Sequence, residues 1–173
     1  MDASLKQLHD QIDDATALLL ETVGRLSDEE VRQPSLLPGW TRGHVLTHLA
    51  RGGDALRSLL EGRPDCRSPD ARDADIEAGA GRPAAEHAAD IRASAAAFGE
   101  AALVVPDAAW RREVQVLGHK PFPLSQVLIR RLVEVELHHV DLNAAYRPSD
   151  WPTTFNELEL TEPMRTRRAD RIV

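Results

Sequence analysis

Apolar side chains recur along most of this chain at the three- and four-residue spacing of amphipathic helices. Leu5, Leu8, Ile12, Ala15, Leu19 and Val23 form one stripe, with Ser4 placed to cap its start. Ser27-Asp28-Glu29-Glu30 has the form of a capping box opening a short helix. Leu37-Pro38-Gly39-Trp40 is a turn, after which Thr41 can cap a second long helix through Val45, Leu49, Leu56 and Leu59. That helix is expected to stop near Gly62-Arg63-Pro64. Gly52-Gly53 interrupts it, and glycines inside a helix cost stability, so the pair points to close approach by another helix or a ligand. Residues 62–82 read as a loop. Pro83 suits a first helical turn, and the alanine-rich run to Val104 is a third helix. Brief alternation at Val114 and Val116 allows a short extended piece between Trp110 and Gly118, and Pro121-Phe122-Pro123 reads as a breaker. Leu124 to Tyr146 is the fourth long helix, ended by Pro148 and Pro152. Four long helices without a sheet predict an all-α bundle whose functional groups project inward from facing helices.

The fourth helix carries the chemistry. Glu134 and His138 are four apart, so both side chains lie on one face, one turn apart. His48 sits in the second helix. If the two helices face each other, two imidazoles and one carboxylate converge, a set that suits Zn²⁺ or Fe²⁺ with coordination positions left open. His44 precedes His48 by four and offers an alternative ligand pair, but is read as supporting or exposed. His139 points about 100° away from His138 and is read as a packing or surface histidine. Asp141 is equally suited to holding the His138 ring and to being a surface acid at a helix end. Asp70, Asp73, Asp75 and Glu77 lack calcium-loop spacing and read as a solvated acidic run. Trp40 and Trp151 read as packing anchors.

Composition narrows the partners. The 173 residues suffice for one domain with a real core, and 42% are hydrophobic. The net charge is −7, and the last thirteen residues are themselves basic, with four arginines against Glu162 and Asp170. So acidic a body argues against nucleic acid as the main partner. Cys66 is the single cysteine, which cannot form an internal disulfide, and it lies in a polar loop without a basic activator. It is read as a bystander. No signal-peptide pattern and no run of about 18 apolar residues occurs, so a cytoplasmic protein without membrane association is expected.

Two segments carry a resemblance to a known family. Leu37-Pro38-Gly39-Trp40-Thr41-Arg42-Gly43-His44-Val45-Leu46-Thr47-His48-Leu49 is similar to the first signature of the DinB-like four-helix bundles, and more narrowly to that of the mycothiol-dependent maleylpyruvate isomerases. Arg131-Leu132-Val133-Glu134-Val135-Glu136-Leu137-His138-His139-Val140-Asp141-Leu142, followed by Asp150-Trp151-Pro152, resembles the family's second signature. The resemblance implies metal ligation by His48, Glu134 and His138, most simply of zinc, with the thiol cofactor mycothiol and an electrophilic substrate on the metal's open side. It implies isomerisation of maleylpyruvate by thiolate addition, bond rotation and elimination, or a related thiol S-transferase activity. A non-catalytic metal- or ligand-binding bundle is the alternative. Arg72 and Arg82, in the loop expected to border the mouth of the bundle, are candidate cofactor-binding residues. The family's smaller α/β domain follows Asp-Trp-Pro, whereas twenty-one residues follow Pro152 here. Residues 1–155 are therefore expected to form the metal-binding bundle and 156–173 a poorly ordered tail. Such a chain is expected to bind one divalent metal and to isomerise maleylpyruvate slowly or not at all.

Overall fold

Each amphipathic stripe closes into a helix where a side chain begins it. The computed structural model describes residues 1–63, 68–116 and 120–172. Helix α1 spans Ala3–Val23, capped by Asp2 rather than by Ser4, with the Asp2 carboxylate accepting from the Leu5 amide. Ser27 and Glu30 form the expected capping box of α2, Asp28–Val31. Thr41 caps α3, Arg42–Leu60, which runs unbroken through Gly52-Gly53. The alanine-rich α5 spans Ala84–Leu103, with Pro83 at its N-cap, one position before the expected first turn.

Residues 62–82 differ from the expected loop. Ser68 caps a further helix, α4, Pro69–Gly79, with Pro69 in its first turn. Only Ile76 of α4 is buried, so the segment has no apolar period to detect. The Pro121-Phe122-Pro123 breaker also has a second role. Strands β1, Glu113–Val114, and β2, Phe122–Pro123, form one antiparallel pair, Glu113 opposite Pro123 and Val114 opposite Phe122. Cys66 lies outside the described residues.

Helix α6, Gln126–Asp141, is shorter than the apolar pattern suggested. Asn143 and Ala145 take left-handed conformations (φ 53° and 75°), which turn the chain away. Arg42 secures this end, donating to the carbonyls of Leu142 (2.7 Å) and Asn143 (2.8 Å). It also donates to Glu30 (3.1 Å), tying α2 and α3 to the end of α6.

The bundle is formed by α1, α3, α5 and α6, with α3 packed most closely on α5 and α1 on α6. Leu19, Leu46, Leu49, Ile91, Phe98, Leu128 and Leu132 are buried at its centre. Arg131 is buried among them and donates from Nη1 to the Leu49 carbonyl (2.8 Å). Gly53 makes room: a Cβ there would lie 3.2 Å from the Arg131 guanidinium carbon and 2.5 Å from the Ser94 hydroxyl. Close helix approach therefore explains Gly53. Gly52 has open space beside it and faces a cavity instead. Among the described residues no helix is long and apolar enough to cross a membrane.

Residues 156–172, expected as a poorly ordered tail, include a further helix. After α7, Thr153–Asn156, the chain passes Leu160 and forms α8, Met164–Ala169, which packs against α6. Leu160 and Met164 are buried, and Arg168 donates to the carbonyls of Phe155 (2.6 Å) and Leu158 (3.0 Å). Two apolar side chains and a set of arginines hold the segment, a combination without helical periodicity.

Candidate metal centre

Helices α3 and α6 face each other, and their register brings His48 onto Glu134 and His138. The Nε2 atoms of His48 and His138 lie 2.9 Å and 3.1 Å from the same Glu134 oxygen, Oε2. One potential ligand atom from each residue lies within 4.8 Å of the other two. Among the described residues this is the one such cluster of three or more histidines, cysteines or acids. The two imidazoles meet edge to face, 4.7 Å between ring centres. All three side chains are partly exposed, so small molecules can reach them.

Asp141 fixes which His138 nitrogen is available. Its Oδ2 lies 2.8 Å from Nδ1 of His138, leaving Nε2 for the cluster. This is the carboxylate–histidine pairing that orients metal-bound imidazoles. Of the two roles open to Asp141 in sequence, the structure thus shows the supporting one. The donor set fits a divalent cation: two imidazole nitrogens and one carboxylate converge, with one ring already held by a second carboxylate.

The electrostatics of the metal-free cluster follow from these contacts. Burial works to raise the pKa of Glu134, but hydrogen bonds from His138 and His48 outweigh it and hold the carboxyl well below its usual range. Burial works to lower that of His138. Hydrogen bonds to Asp141 and Glu134, and their charges, outweigh it and push the imidazole up to about 9. His138 is therefore protonated at neutral pH without metal, and a cation must displace that proton to reach Nε2. Zinc uptake at pH 7.5 is expected to release a proton from His138. Affinity should rise about tenfold per pH unit for that proton and level off above pH 9. Calorimetric titration in buffers of different ionisation enthalpy measures the release. An affinity unchanged between pH 6.5 and 8.5 would contradict this assignment.

The other histidines have separate roles. His44 bonds to Thr41 (2.7 Å) and Glu77 (3.0 Å) and lies outside the cluster. His139 is buried, stacks on Tyr146 at 3.8 Å and bonds to Thr22 (2.7 Å); burial lowers its pKa to about 4. Trp40 packs against the rings of His44 and His48. Trp151 is buried edge-on against Phe155, as a packing anchor should be. Asp70, Asp73, Asp75 and Glu77 are exposed on α4.

A cavity of about 250 Å³ opens beside the cluster between α3, α4, α6 and the tail. His48 and Glu134 form one wall, Leu56, Ile76, Val116 and Met164 an apolar one. Arg51, Arg72, Arg130 and Arg167 also line it; Arg51 is paired with Asp54 (3.2 Å) and Asp90. Arg82 is not among the lining residues; its guanidinium is held by Asp90 (2.8 Å) and by the Gly79 carbonyl (3.1 Å). Arg51, Arg130 and Arg167 are not among the residues expected from sequence. Arg51 lies three residues after His48, so helical spacing alone could have flagged it. Arg130 lies 3.9 Å above the Phe122 ring, and Arg167 comes within 3.5 Å of Glu134 Oε1 from the tail.

Residues 12–143 match the family described as Mycothiol maleylpyruvate isomerase N-terminal domain. The chain belongs to this family. The fold is similar to the crystal structure of the mycothiol-dependent maleylpyruvate isomerase, at 27% identity and a TM-score of 0.82 over 87% of this chain. A histidine-to-alanine mutant of that enzyme matches at 27% identity, a TM-score of 0.81 and the same 87%. This chain spans 65% of the length of those solved chains. No curated protein matches it. The two segments that carried the resemblance in sequence supply the cluster: His48 comes from the first, Glu134 and His138 from the second.

Proposed function

We propose that this domain is a metal- and thiol-dependent enzyme of the maleylpyruvate isomerase type, with His48, Glu134 and His138 holding zinc. The observation that carries it is their convergence beside an arginine-lined cavity, in a domain of this family. The bound metal supplies Lewis acidity that favours the thiolate form of a cofactor thiol such as mycothiol at neutral pH.

The protein's own groups do the rest. Asp141 accepts from Nδ1 of His138 and so keeps the Nε2 lone pair directed into the cluster. Arg130 and Arg167, which share the Glu134 carboxylate between them, give this side of the cavity a positive field, which attracts and orients a small carboxylate-bearing electrophile. Arg130 and Arg167 both act on Glu134, and each also feels the other's charge, so an anion between them relieves mutual repulsion. The apolar wall limits water around the reacting double bond. A thiol that adds to that bond and later departs leaves the substrate isomerised with no net change in atoms.

The test is turnover by the full chain. With zinc and mycothiol supplied, maleylpyruvate should be isomerised at a rate, however slow, that disappears when either is withheld. Zinc binding at one per chain without any thiol-dependent turnover would contradict the enzymatic reading and favour a metal-binding bundle.

A further inference from the structure

We propose that Arg171, beyond α8, is a positioning residue for the metal centre: it grips Asp141 so that Asp141 holds the His138 ring with Nε2 facing Glu134 and His48. This rests on the metal reading above and extends it to the tail.

The geometry is a relay of direct contacts. Arg171 donates from Nη2 to Asp141 Oδ2 (2.6 Å) and from Nε to Asp141 Oδ1 (3.0 Å). A two-pronged contact of this kind fixes the plane of a carboxylate as well as its position. The same Oδ2 lies 2.8 Å from Nδ1 of His138. The side chains of Asp141 and Arg171 are only 3% and 15% exposed, so water competes little for these bonds. Asp141 is also the last residue of α6, where the helix dipole disfavours a negative charge. A buried carboxylate there needs positive charge beside it, and Arg171 adds a permanent one to what His138 supplies.

The tail backbone is held in register with this grip. Nη1 of Arg171 donates to the Arg167 carbonyl (2.8 Å), one turn earlier, and Arg167 in turn approaches Glu134 Oε1. Arg167 and Arg171 also line a second cavity, of about 210 Å³, together with Trp40, His48, Glu134 and His138. Arg167 and Arg171 thus form part of the wall of the cluster. Without the fork, Asp141 can rotate about its side-chain bonds, and the direction of Nε2 of His138 is no longer fixed.

The experiment titrates Co²⁺ into the full chain and four variants: Arg171→Met, Arg171→Lys, Asp141→Asn and the Arg171→Met/Asp141→Asn double variant. Affinity and the visible absorption of bound Co²⁺ are read together, with thermal unfolding of each metal-free protein. Outer-shell partners of this type typically contribute about 10–100-fold in metal affinity. Arg171→Met should lose affinity in that range and shift the Co²⁺ spectrum. Arg171→Lys, which keeps the charge but not the fork, should lose less and still fold if the methionine variant does not. The double variant should bind no more weakly than Asp141→Asn, because Arg171 acts through Asp141. Co²⁺ affinity of Arg171→Met within twofold of wild type would overturn the proposal even if its unfolding temperature fell. Losses that simply add in the double variant would also overturn it. Failure of the wild-type chain to bind Co²⁺ would instead remove the metal reading itself, and this inference with it.

Discussion

Replacing His48 with alanine is expected to weaken zinc binding by more than a hundredfold while leaving the bundle folded. Loss of an outer-shell partner alone typically costs about 10–100-fold, and loss of one of three protein ligands exceeds that. The imidazole contributes little to the core: its side chain is 29% exposed, and within the cluster it meets the Glu134 carboxylate and the edge of His138. Helical circular dichroism should therefore match that of the wild type. Competition with a chelating dye measures the affinity. Wild-type zinc affinity in His48→Ala would remove α3 from the metal centre.

The second large effect is on stability. Gly43→Ala places a Cβ 1.9 Å from the Ala80 carbonyl oxygen and 3.2 Å from Val31. A backbone carbonyl cannot swing aside as a side chain can, so either the first turn of α3 or the α4–α5 connection must move. Overpacking of this kind costs about 1–3 kcal/mol, occasionally more. It outweighs the ~1 kcal/mol that alanine gains over glycine within a helix. Gly52→Ala is the control, since nothing lies within 4 Å of its added Cβ. It should be neutral or stabilising by up to about 1 kcal/mol. At about 2–4 °C per kcal/mol for a chain of this size, thermal unfolding separates the two. Equal shifts of the same sign would show that the close approach at Gly43 does not limit stability.

The part of this architecture that repeats locally was legible in sequence. Stripes at helical spacing located α1 and α3, the alanine-rich run after Pro83 located α5, and the segment between proline breakers located α6, and the four-residue separation of Glu134 and His138 showed that they share a face. His48 became credible only through its surrounding segment, because nothing local states that α3 will lie against α6. What was not legible depends on contacts between distant residues. Helix α4 buries one large side chain, Ile76, so its segment read as a loop. The tail is held by Leu160, Met164 and the arginines that meet backbone carbonyls and carboxylates. Such contacts leave no period. In sequence Asp141 suits two roles, because the partner that decides between them, Arg171, lies thirty residues further on. Arg72 lines the cavity, whereas Arg82, expected there for the same reason, meets Asp90 on α5.

X-ray absorption at the zinc edge, on the full chain loaded with one equivalent, tests the central claim most directly. A shell of nitrogen and oxygen neighbours at about 2.0–2.2 Å, with the outer-ring scattering of two imidazoles, is expected. Added thiol should then introduce one sulfur neighbour at about 2.3 Å. Failure of the chain to take up zinc, or a spectrum unchanged in His48→Ala, would contradict a metal centre formed by His48, Glu134 and His138.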